Sequence, residues 1–130
     1  LLEKPNRSAA ESDELIHTVH ASAYHWSKAG TVVNVARGEN QCARVYSRLG
    51  RGEPAVYHAL RCLQFVESGD PGFEDWDLAS ALEVVARAYA TLGNVDRARE
   101  FATRAAEAVE RIEDPDDRKW IALQLSEIEL

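Results

Sequence analysis

Ala43-Arg44-Val45-Tyr46-Ser47-Arg48-Leu49-Gly50 returns as Ala86-Arg87-Ala88-Tyr89-Ala90-Thr91-Leu92-Gly93, an ARxYxxLG signature repeated 43 residues later. The small residues that follow keep the same step, since Ala55, Ala59 and Cys62 stand where Ala98, Ala102 and Ala105 stand later. Internal self-similarity at a fixed period marks a helical solenoid, in which each unit buries its apolar face against its neighbours.

Outward from the signature, apolar residues recur at helical spacing and nowhere alternate as in a strand, so the expected class is all-α with six helices. Ser8 is placed to cap a first helix running to about 29, with Leu15, Ile16, Val19, Ala23 and Trp26 on one side, after a loose tail over 1–7. A second helix over about 31–49 buries Val32, Val35, Ala36, Cys42, Ala43, Tyr46 and Leu49 and stops at Gly50. Pro54 suits the first turn of a third, whose apolar side is Val56, Ala59, Leu60, Leu63 and Val66. The breaker Ser68-Gly69-Asp70-Pro71-Gly72 precedes a fourth helix, capped by Asp75 and striped by Leu78, Leu82, Val85, Ala86, Tyr89 and Leu92. The fifth runs from about Val95 to Ile112. Carboxylates around Glu113–Asp117 then start a sixth, with Trp120, Ile121, Leu125 and Ile128 as its apolar face. The whole of 1–130 reads as one domain. Full repeats cover about 31–70 and 74–113, and capping half-units cover about 8–29 and 116–130.

The composition, 45% hydrophobic and 28% charged, is that of a folded soluble chain, and no apolar run reaches the roughly 18 residues of a membrane span. A cytoplasmic address follows as the expectation, with a processed or truncated start left open by the absence of Met. Cys42 and Cys62 lie at interior repeat positions and read as packing residues; no cofactor or metal is expected. Of the net charge of −7, residues 66–130 carry −9, which disfavours general nucleic-acid binding because phosphate neutralisation needs a coherent basic face.

The units resemble the tetratricopeptide repeat. Ala86, Tyr89, Gly93, Ala98 and Ala105 fit its small-Tyr-Gly-Ala-Ala positions, and Ala43, Tyr46, Gly50 and Ala55 do so in the first unit. Ala59 and Ala102 stand where the family has a larger Phe, and Glu39 and Cys42 replace an aromatic and a leucine. The period of 43 exceeds the family's roughly 34 residues, so the helices are longer. The resemblance extends to uncharacterised bacterial proteins of this type. It implies a right-handed α-α superhelix that binds an extended protein or peptide segment along the first helices of successive units.

Helical spacing sets Arg37, Gln41, Arg44 and Arg48 on one outward stripe, with Arg87 answering Arg44 and Asn34 alongside. Guanidiniums suit bidentate capture of carboxylates, so the expected partner carries an acidic segment or a C-terminal carboxylate, and reversing Arg44 to Glu is expected to abolish its binding. The plain alternative is a face neutralised by the chain's own Glu39, Glu53 and Glu83. Two further readings stay open. His17 and His20, three apart with Glu14 as the local candidate for a further ligand and His25 pointing elsewhere, would serve a small-molecule or metal-binding sensor or enzyme, although no nucleophile or phosphate loop accompanies them. Tyr57, His58 and Arg61 would give a self-associating scaffold a dimer contact, while Phe73 and Trp76 read as a staple for the fourth helix.

Overall fold

The start of each helix is written in its capping residues. In the computed structural model, which describes residues 8–130 and all their side chains except those of 26–29, Ser8 and Glu11 exchange backbone-to-side-chain bonds of 3.1 and 3.2 Å. That capping box opens α1 (Ala9–Ala29). Thr31 caps α2 (Val32–Arg48) by accepting from Asn34 N, and α3 spans Gly52–Val66. At α4 (Asp75–Leu92) the cap is Glu74 rather than Asp75: Asp77 Oδ2 accepts from Glu74 N at 2.8 Å. Asp75 instead accepts from Glu113 N at 3.0 Å, tying the start of α4 to the loop before α6. Asn94 caps α5 (Val95–Val109), and Asp114, followed by Pro115, caps α6 (Pro115–Ser126). No strand occurs among the described residues. The expected loose tail and the side chain of Trp26 lie outside what is described.

The 43-residue step reappears in the element limits: α2 and α4 begin at Val32 and Asp75, and α3 and α5 cover Gly52–Val66 and Val95–Val109. It also reappears in the turns. Gly50 and Gly93 have φ of 74° and 89°, their amides reach Ser47 O and Ala90 O, and the next amides reach Tyr46 O and Tyr89 O. Since a β-branched residue is a poor fit to this left-handed geometry, Gly93→Val is expected to lower stability by on the order of 1 kcal/mol or more in thermal unfolding.

Consecutive helices pack from α1 to α6, and α2 meets α4 and α4 meets α6. Alanines allow that closeness: Ala43, Ala55, Ala59, Ala79, Ala81, Ala86, Ala88, Ala98 and Ala105 are all fully buried, and small contact residues shorten the distance between helix axes. Because α4 touches every described helix except α1, it is enclosed on almost all sides from Ala79 to Ala88, not along the single stripe that its spacing suggests. Leu60, Leu92 and Val95 lie exposed, since Ala55, Ala59, Cys62 and Leu63 already occupy the inner side of α3 and the other two sit at helix ends. The aromatic residue buried in α5 is Phe101, one position before the expected Ala102, and it stacks on Tyr89.

Candidate functional site

α2 and α4 lie side by side with equivalent residues in step, and this register builds a polar ladder between them. In each unit an arginine folds back one turn along its own helix. Arg44 Nε donates to Asn40 Oδ1 at 2.9 Å, and Arg87 Nε donates to Glu83 Oε1 at 2.9 Å. The second amine of each then crosses to the next helix in the row, Arg44 Nη2 to Glu83 Oε2 at 2.7 Å and Arg87 Nη2 to Gln124 O at 2.8 Å. Glu83 is fully buried and accepts from both guanidiniums, so neither the carboxylate nor its partners lack compensation. Upstream, Arg37 grips Asp77 through two bonds of 2.8 and 3.2 Å, and Asn40 Nδ2 donates to Ser80 Oγ. The bond to Asp77 raises the pKa of Arg37 above its ordinary value, and the guanidinium lies 4.6 Å over the Trp76 ring.

The expected outward row of guanidiniums is therefore only partly outward. Arg37 is 40% exposed, but Arg44 is 14% exposed and fixed by Glu83. Of the three carboxylates expected to neutralise the arginines, Glu83 does so for two of them. Glu39 faces His58 and Arg61, and Asp77, which the spacing of α2 cannot reveal, takes Arg37. Arg48 is exposed at the end of α2.

All six candidate residues nonetheless line one run of cavities. Asn34, Arg37 and Gln41 border a space of about 230 Å³ whose other wall is Val19, Ser22 and Ala23 of α1. Arg37, Gln41 and Arg44 line the next, of about 310 Å³, floored by Ala36, Cys62 and Ile121 and flanked by Trp76 and Trp120. Arg44, Arg48 and Arg87 line a third, of about 630 Å³. Trp120 and Gln124 border both of the last two. Trp120, expected among the residues closing the stack, is 60% exposed, whereas its neighbour Ile121 is buried. Trp76 packs against the core as expected of a staple, yet its ring also faces the cavity. Sequence reasoning missed Trp120 as a site residue because an aromatic beside Ile121 and Leu125 reads as core.

The three histidines of α1 do not gather into one site. His17 and His25 are exposed, and His20 turns toward Tyr46, its Nε2 2.8 Å from the hydroxyl. Among the described residues no group of three or more His, Cys, Asp or Glu side chains is arranged to hold a metal ion. His58, expected at a dimer contact, points inward to Glu39, while Tyr57 is exposed beside Arg61. Burial alone would lift the Glu39 carboxyl, but the hydrogen bond from His58 and the nearby Arg61 bring its pKa below the ordinary value. No described helix is long and apolar enough to cross a membrane. No protein-family model matches this chain, and neither a curated protein nor a solved structure matches it.

Proposed function

We propose that the chain is a non-catalytic, tetratricopeptide-like scaffold of the cytoplasm, a right-handed superhelix of two units that holds a peptide or protein segment in the trough along α2, α4 and α6. The observation that carries this reading is the exposed Trp120 at the junction of two cavities, where the side chains of Gln41 and Gln124 also line the wall. A large aromatic on a concave polar rim is the usual anchor of a binding surface, and carboxamides can both donate to and accept from an extended backbone. The recurrence of helix limits and turn bonds 43 residues apart supports the repeat reading. Glu83 and Asp77 engage Arg37, Arg44 and Arg87 through Nε and Nη2, so an acidic segment or terminal carboxylate would meet their Nη1 edges and the exposed guanidinium of Arg48 at the cavity rim.

Reversal of Arg44 would break the ladder, which moves the test to exposed side chains. Selection from a library of short random peptides with free C-termini is expected to enrich carboxylate-bearing sequences. Trp120→Ala is then expected to weaken their binding by about 2 kcal/mol, measured by calorimetry, with an unchanged melting temperature. Arg48→Glu should weaken it too. Failure to enrich any peptide, or affinity indifferent to both substitutions, would remove the trough as the binding surface.

A further inference from the structure

The two units differ most where the first replaces apolar core residues by titratable ones. In the second unit Tyr89 stacks on Phe101 with ring centres 5.8 Å apart, and Leu82 is buried in the same core. At the equivalent positions of the first, Tyr46 stacks on His58 at 5.6 Å, and His58 Nδ1 donates to Glu39 Oε2 at 2.6 Å. α1 adds His20, which stands 43 residues before the buried Leu63 of α3. Its ring centre is 5.3 Å from that of His58, and its Nε2 contacts the Tyr46 hydroxyl. Three positions that are Leu, Phe and Leu one repeat later are thus Glu, His and His around the seat of α1.

We propose that this cluster is a proton-operated clasp, holding α1 on α2 while His20 is neutral and releasing it on acidification. The packing makes release local: among the described residues α1 packs along α2 and meets α3 through the His20–His58 ring contact, whereas α2 through α6 are cross-connected. The consequence reaches the trough, because Val19, Ser22 and Ala23 of α1 wall the cavity that holds Asn34 and Gln41. The clasp stands whether or not the trough binds a peptide.

The groups around His20 come from three helices: His17 on α1, Glu39 and Tyr46 on α2, and His58 on α3. Arg61 faces Glu39 from α3 at 3.5 Å, while Cys42 and Arg51 act on Tyr46. Burial is the strongest influence on His20 and opposes a proton; His58 and His17 oppose it too, and Glu39 favours it, with a lowered pKa as the result. Docked His20 therefore binds a proton less readily than free His20. Above the ordinary value of 6.5 both states are neutral and docking is at full strength. As pH falls below it, the free helix takes up the proton first, and docking weakens until the docked imidazole is also protonated.

Amide hydrogen exchange on the full chain at about pH 7.5 and about pH 5, with rates divided by the intrinsic rate at each pH, tests this. Protection in α1 is expected to fall measurably at the lower pH while α4 and α5 keep theirs, and H20Q should remove the difference. Should H20Q leave α1 unprotected at both pH values, the triple variant H20L/E39L/H58F, which installs the apolar set of the later repeat, decides instead. A pH-independent α1 in the natural chain, equal loss across all six helices, or a loss that persists in the deciding variant would each overturn the clasp.

Discussion

Glu83→Ala is expected to cost about 3–5 kcal/mol of folding free energy, because it removes the one carboxylate that compensates two guanidiniums inside the protein. Arg44 and Arg87 reach it at 2.7 and 2.6 Å, and none of its side chain is in contact with solvent. Arg44 and Arg87 are only 14% and 23% exposed and regain only part of their hydration from the trough they line, so the penalty lies nearer that of stranded charge than of a lost surface pair. Glu83→Gln keeps an acceptor but loses the charge, and should fall between, at about 1–3 kcal/mol. Guanidinium denaturation at neutral pH measures both. An alanine variant within about 1 kcal/mol of the natural chain would mean that the ladder contributes no more than a solvated surface pair.

Gly52→Ala is the second large effect. A Cβ on Gly52 would lie 2.5 Å from Leu92 Cα and 2.8 Å from Leu92 N, both backbone atoms, so no side-chain rotation relieves the collision. The start of α3 must move away from the end of α4. The expected loss is about 1–3 kcal/mol, the usual cost of forcing extra atoms into a packed interior. Leu92→Ala should fail to rescue it, since the obstructing Cα and N remain. Rescue by that change, or a neutral Gly52→Ala in thermal unfolding, would show the two helices to be farther apart than the structure has them.

These two residues also mark how far the sequence carries. The turns and the first cap were legible because they depend on neighbours in the chain: Ser8, Gly50 and Gly93 act within a few residues, whereas Asp75 gives up the cap of α4 to Glu74 because the loop before α6 claims its carboxylate. The polar ladder was half legible. Spacing places Arg37, Gln41 and Arg44 on one side of α2, but the partners of Arg37 and Arg44 lie 40 and 39 residues on, on a helix whose rotation no periodicity reports. Gly52 was illegible for the opposite reason, since its counterpart in the repeat is the exposed Val95 and the register gives no hint of a tight approach. The His58–Glu39 pair had a readable signal. Applying the 43-residue step to the residues that flank the small ones sets His58 against Phe101 and Glu39 against Leu82. Which cavities lie along the row, and the outward turn of Trp120, depend on how three helices close together.

The alanine-lined interior encloses two free thiols, Cys42 at 1% and Cys62 at 2% exposure, and burial pushes both up to about 12. A sulfur in that state is a poor nucleophile, since reaction proceeds through the thiolate. Alkylating reagents and mild oxidants accordingly meet an inert molecule until the helices part. The chain thereby carries its own clock for breathing motions: labelling of Cys42 times the opening of α2, and labelling of Cys62 times access to the floor beneath Trp76 and Trp120, without any introduced probe.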